Sequence, residues 1–178
     1  NQTGSATITV NPLPTATIGG TASVCQSGTP PVITFTGSNG TSPYTFTYTI
    51  NGGSSQTVTT AVGSSTVTVA APTNASGSFV YTLVSVRDGS STTCSQAASG
   101  TATITVNPLP SASISGTTSV CRGAASPNII FTGSNGTSPY TFTYTINSGS
   151  NQTVTTATGS STVMVGVSTT SSGTYTYS

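Results

Sequence analysis

The side chains able to do chemistry are few: three cysteines (Cys25, Cys94, Cys121), one carboxylate (Asp88), two guanidinium groups (Arg87, Arg122) and seven tyrosines, with no His, Lys or Glu. General acid–base catalysis draws on groups that titrate usefully near neutral pH. One Asp without His or Glu assembles no carboxylate pair, no catalytic triad and no zinc site. Calcium requires several clustered oxygen ligands, mostly carboxylates, and Asp88 alone does not supply them. The expectation is a protein that is not an enzyme and uses no metal or cofactor.

The cysteines carry more information. Cys25 and Cys121 each close the tripeptide SVC and lie 96 residues apart, while Cys94 falls late in the first stretch. One cysteine early and one late in each unit reads as a structural disulfide framework of an oxidising compartment; the competing reading is unpaired, buried thiols. Two connectivities stand open, because a disulfide needs Cα atoms within about 7 Å. Either Cys25 reaches Cys94 through an irregular first strand, or Cys25 bonds the next domain's equivalent of Cys94. A partner for Cys121 would fall beyond Ser178.

Tyr44, Tyr48, Tyr140 and Tyr144 could form an aromatic platform for sugars, or serve as core residues alternating with Thr. Tyr81 follows Gly77 in SGSFVY, the setting of a tyrosine-corner-like residue. Thr runs such as TFTYT resemble ice-binding faces, but those come from short coil repeats, and the period here is 96. Asn-x-Ser/Thr sequences at Asn1, Asn39, Asn74, Asn135 and Asn151 suit surface turns.

The background to these residues is extreme. Charged residues make up 2% of the 178, against roughly 25% in ordinary soluble domains. No stretch approaches the roughly 18 apolar residues of a membrane-spanning helix, and Thr, Val, Ile, Tyr and Phe are too abundant for disorder. A net charge of +1 offers neither nucleic acid nor an anionic membrane the cluster of basic side chains it requires.

Internal similarity organises the chain. VNPLP occurs at 10–14 and 106–110, and the 17 residues FTGSNGTSPYTFTYTIN at 35–51 return unchanged at 131–147. Aligned without a gap, residues 1–82 and 97–178 are identical at 54 of 82 positions. The phase of this duplication divides the chain into 1–10, the last strand of a preceding repeat; 11–106, a complete repeat; and 107–178, a second repeat that stops before its final strands.

Apolar residues alternate with Thr at Tyr44, Phe46, Tyr48 and Ile50, at Val67 and Val69, and at Ile104 and Val106. That period of two marks strands with one buried face. Turn signals such as Ser38-Asn39-Gly40, Asn51-Gly52-Gly53 and Asp88-Gly89 separate them. The spacing predicts strands near 15–18, 31–36, 43–51, 55–60, 65–70, 78–87 and 100–106, repeated from about 111. The fold class is therefore all-β, with tandem immunoglobulin-like sandwiches arranged end to end. Pro12 and Pro14, and again Pro108 and Pro110, lie between consecutive repeats and make short, stiff joints.

SVC, ITFTGSNGTSPYTFTYTING, SGSFVYTLVSV, TCS and ATITVNPLP, in this order and spacing, resemble the PKD-like and immunoglobulin-like repeats of very large Bacteroidetes surface proteins. Those include gliding-motility-type adhesins exported by type IX secretion. The resemblance covers essentially the whole chain and implies an extracellular, cell-surface, non-catalytic protein whose repeats form a structural stalk. Its partners would be neighbouring repeats of the same chain and other copies in a fibre. Two alternatives remain: a glycan- or cell-binding module, and a filament subunit in which the strand at 1–10 completes another copy's sandwich.

Overall fold

The computed structural model describes residues 4–178, and every regular element in them is a β-strand. The chain divides into two compact units, Asn1–Asn107 and Pro108–Ser178, one residue past the boundary expected after Val106.

The first unit contains β1 (Thr15–Gly19), β2 (Ala22–Cys25), β3 (Val32–Ser38), β4 (Thr45–Ile50), β5 (Gln56–Thr59), β6 (Thr66–Ala70), β7 (Gly77–Arg87), β8 (Ser95–Ala97) and β9 (Thr101–Asn107). β1, β3 and β6 form one antiparallel sheet. The larger sheet runs β2-β9-β7-β4-β5, with β8 paired to β7. Ile33 and Phe35 from the small sheet share one core with Phe46, Tyr48, Tyr81, Leu83, Val86, Ile104 and Val106 from the large one. Two sheets around a common core make the unit sandwich-like. The ring of Phe35 sits 5.6 Å from that of Phe46 and 5.0 Å from that of Tyr48, so β3 meets β4 through aromatic contact. Burying each such side chain is worth about 1.5–3 kcal/mol.

β9 closes the large sheet. It runs parallel to β2 on one side (Ala22↔Ile104, Val24↔Val106) and antiparallel to β7 on the other (Gly77↔Val106, Phe79↔Ile104, Tyr81↔Ala102). β2 and β8 were not anticipated from the sequence. β8 is three residues with no buried side chain, and β2 is four residues held by one parallel neighbour. Neither is long enough for alternation to register.

The second unit contains β10 (Ser111–Ser115), β11 (Asn128–Ser134), β12 (Thr141–Tyr144), β13 (Gln152–Thr155) and β14 (Thr162–Gly166). β10-β11-β14 and β12-β13 form separate sheets around Phe131, Phe142 and Tyr144. The counterpart of β7 retains only a bridge from Ile146 to Tyr177, and residues 118–121, the counterpart of β2, are not a strand.

Segment 1–10, expected as a strand, carries no strand pairing over residues 4–10; residues 1–3 and the Asn1 sequence lie outside the described residues. Ile8 and Val10 are 90% and 88% exposed, whereas Ile104 and Val106, their equivalents in the repeat, are 0% and 2% exposed. The same ATITV sequence is a strand where two neighbouring strands pair with its amides and carbonyls and has no regular structure where none does.

Candidate functional site

Within the first unit the two cysteines stand at opposite ends of the large sheet. Gly77, the first residue of β7, pairs with Val106, which pairs with Val24 beside Cys25. Arg87, the last residue of β7, pairs with Ser95 beside Cys94. Ten residue steps of strand separate these ends, roughly 33 Å, far beyond the reach of a disulfide. The within-unit connectivity is therefore excluded by geometry, and among the described residues no two of the three cysteines are bonded, with Cys25 and Cys121 exposed.

Cys94 belongs to a polar cluster that ties the end of β7 to the Asn11–Pro14 joint. Its Sγ lies 3.2 Å from Thr92 Oγ1, which accepts a hydrogen bond from Asn11 Nδ2 at 2.9 Å. Ser90 Oγ, 3.2 Å from Thr92 Oγ1, contacts Asp88 Oδ1 at 2.8 Å, and the Thr41 amide donates to Asp88 Oδ2 at 3.2 Å. Asp88 is 4% exposed. Burial works to raise its pKa, but hydrogen bonds from the Ser90 hydroxyl and the Thr41, Ser90 and Cys94 amides outweigh that and hold the carboxyl below its ordinary value. Its oxygens are thus committed to protein donors. Among the described residues no group of three or more His, Cys, Asp or Glu stands close enough to hold a metal ion.

Of the joint prolines, Pro14 is buried, close enough to the turn that a Cβ added at Gly40 would meet its Cβ at 3.1 Å. Pro12, Pro108 and Pro110 are exposed. The first joint is thus anchored in the body of the first unit at Pro14.

The tyrosines do not form a surface platform. Tyr44, Tyr48 and Tyr144 are buried at 5%, 4% and 6% exposure, and Tyr140 is half-buried. The cause is the strand period, which puts these rings on the same face as Phe46 and Phe142. Tyr44 Oη donates to the Gly40 carbonyl at 2.7 Å and accepts from the Gly40 amide at 3.2 Å. Tyr140 does the same at Gly136, at 2.6 and 3.1 Å. The hook back onto the backbone, expected at Tyr81, is thus made by Tyr44, while Tyr81 lies in the core at 1% exposure. Burial pushes the phenol pKa values of Tyr48 and Tyr81 up. Asn39 and Asn135 adopt φ of 62° in tight turns, donating to Thr15 Oγ1 and Ser111 Oγ at 3.2 Å each.

Sequence reading did not single out the groove of about 620 Å³ in the second unit. Residues 117–121 form one wall and 173–177 the other, with Ile114, Pro127 and Ile129 between them. The walls are the repeat equivalents of the β2 region and the start of β7, so the groove occupies the position that β9 fills in the first unit. Aligning the strand register of the two units, rather than their motifs, would have found it. No helix among the described residues is long and apolar enough to cross a membrane. No family model matches the sequence, and no curated protein is significantly similar to it.

Proposed function

We propose that the chain is a run of immunoglobulin-like, PKD-like repeats forming the stalk or fibre of a large extracellular adhesin, with no catalytic role. The observation that carries this reading is the repetition of internal bracing. Asn51 accepts from the Val80 amide at 2.7 Å and donates to the Ser78 carbonyl at 3.1 Å; Asn147 does the same with Thr176 at 2.8 Å and Thr174 at 3.1 Å. Gln26 Nε2 pins the Asn74 carbonyl at 2.9 Å, and Arg122 Nε pins the equivalent Thr170 carbonyl at 3.0 Å although the residue type differs. Duplicated scaffolding with variable surface suits a spacer built by repetition. Scarce charge makes such a surface insensitive to salt, and two basic residues leave trypsin-like proteases little to cut. The buried Pro14 supports a stiff joint.

The resemblance to Bacteroidetes surface repeats supports a stalk on a bacterial outer surface, with neighbouring repeats as its first partners. The mass of the native polypeptide under denaturing, reducing conditions tests the reading. Several hundred kilodaltons is the expected result for a multi-repeat stalk, and a native chain near 17.4 kDa would overturn it. A glycan-binding module is the weaker reading, because the tyrosines it would use are directed inward.

A further inference from the structure

We infer that Cys25 forms a disulfide with the counterpart of Cys94 in the following repeat, so that one bond spans each Asn-Pro-Leu-Pro joint. The inference rests on the reading of the chain as part of a longer run of repeats, and its geometry comes entirely from the first unit. That unit holds two joint asparagines, Asn11 at its entry and Asn107 at its exit. They are the same residue of the repeat, one period of 96 apart. Whatever stands beside Asn107 at the exit of one repeat and beside Asn11 at the entry of the next therefore meets at every joint.

Cys25 stands beside the exit asparagine. β2 and β9 pair with Cys25 opposite Asn107, and neighbouring strands lie about 4.7–4.9 Å apart. The Gln26 amide donates to the Asn107 carbonyl at 2.7 Å, and Asn107 Nδ2 donates to Ser23 Oγ at 3.0 Å. Ser23 and Cys25 are two residues apart in a strand of alternating exposure, so both side chains lie on its exposed face. Cys94 stands beside the entry asparagine. Asn11 Nδ2 donates to Thr92 Oγ1 at 2.9 Å, and that oxygen lies 3.2 Å from Cys94 Sγ. The loop is built to hold the sulfur there. Thr93 has a φ of 47° and donates its amide to the Ser90 carbonyl at 2.9 Å, while the Asp88 amide donates to the Cys94 carbonyl at 3.0 Å.

A carboxamide nitrogen carries two hydrogens. Asn107 directs one to Ser23 and Asn11 directs one to Thr92. A single asparagine of the run can make both bonds at once, one to the repeat before it and one to its own. Cys25 and the next repeat's Cys94 then flank one side chain, whereas the pairing inside a unit faces roughly 33 Å of strand. Cys25 is exposed and open to an oxidant. With oxidised glutathione as that oxidant, one S–S bond forms between the two thiols. The glutathione disulfide takes up the two electrons and the two protons and leaves as two thiols. Successive bonds overlap along the chain, because Cys121 lies between Cys25 and its partner. A pull on the run is then carried across each joint by a covalent bond beside the prolines.

The test uses the 178-residue chain extended past Ser178 by a copy of Leu83–Asn107, which supplies the following repeat's Cys94. The chain is incubated with oxidised glutathione, alkylated, and recovered as monomer from a non-reducing gel. Trypsin then cuts after Arg87, Arg122 and the copied Arg87. Mass spectrometry should find peptide 1–87, with Cys25, joined to the C-terminal peptide carrying the copied Cys94. Peptide 88–122, with Cys94 and Cys121, should be alkylated at both cysteines. Cys25→Ser should abolish the joined pair. Asn107→Ala, with both units still folded by circular dichroism, should form it several-fold more slowly; an unchanged rate would overturn the bridging role of the asparagine. Peptide 1–87 joined to 88–122, the C-terminal peptide joined to 88–122, a bond within 88–122, four alkylated thiols, or the expected pair only in dimers would each overturn the disulfide. The stalk reading fails separately, on the mass of the native chain, whereas this inference fails on the peptide pair.

Discussion

Over their matching residues the two units differ less in local geometry than in burial. Their aromatic clusters superimpose in detail: Phe131 lies 5.6 Å from Phe142 and 5.0 Å from Tyr144, the same separations as Phe35 to Phe46 and to Tyr48. The tyrosine hooks and asparagine braces recur within a tenth or two of an ångström. Burial is where they part. Phe46 is fully buried and Phe142 is 7% exposed; Tyr81 is 1% exposed, and its equivalent Tyr177 is only half-buried. Local hairpins and turns are thus specified by local sequence, whereas closure of the core depends on one strand, β9, that reaches its place from far along the chain. Non-local pairing of this sort is the part of a β-fold that local sequence secures least.

The largest effect should come from breaking that strand. Ile104→Asp puts an unpaired carboxylate at a site with 0% exposure and should cost the first unit more than about 4 kcal/mol, enough to unfold it. Ile8→Asp changes the same residue of the repeated motif at 90% exposure and should move monomer stability by less than about 0.5 kcal/mol. Urea titrations followed by circular dichroism separate the two; equal effects would mean that β9 is not what distinguishes the units.

The converse change supplies the strand. A chain extended past Ser178 by a copy of Leu83–Asn107 should close the second unit and bury Tyr175 and Tyr177. The second unit should become more stable, each apolar side chain that the added strands bury contributing about 1.5–3 kcal/mol. Hydrogen exchange at the Thr145 and Asn147 amides, which bond Ser178 and Thr176 carbonyls, reads this directly. Unchanged protection there would show that the openness of the second unit has another cause.

Smaller effects test what the units share. Tyr44→Phe and Tyr140→Phe each remove one hook onto the 38–40 or 134–136 turn and should each cost about 1 kcal/mol. The two losses should be equal, because the hook is built within a few residues and does not involve β9. A markedly larger loss in the first unit, seen in thermal melts of the two variants, would mean that the turn is braced through the closing strand after all.

Much of this was legible in the sequence. Strands with strict alternation, such as Thr45–Ile50 and Thr101–Asn107, lie where Tyr, Phe, Ile and Val alternate with Thr. What escaped reading was non-periodic or three-dimensional. β2 and β8 are too short to show a period. The separation of Cys25 from Cys94 follows from the length of β7, not from their spacing in the chain. Tyr44 was read as surface or core, and its hydroxyl's return to Gly40 depends on the turn at Asn39, where φ is positive.

Asp88 provides the most delicate contrast. It is the chain's one acidic side chain, it lies in the first unit, and its pKa is lowered from 3.8 by the donors around it despite burial. A depressed carboxylate contributes stability that is fully present above the unfolded pKa and is lost as pH falls through the folded one. The melting temperature of the first unit should therefore hold steady above about pH 5 and fall progressively toward about pH 2. The second unit, with no acidic side chain, should show no such slope. Asp88→Asn should flatten the first unit's profile at the cost of a lower plateau, because an amide offers Thr41 and Ser90 one acceptor oxygen where the carboxylate offers two. Melts of both chains across that pH range would show the curves converging at the acid end; curves that stay parallel would mean that the carboxylate's charge contributes nothing to holding the turn.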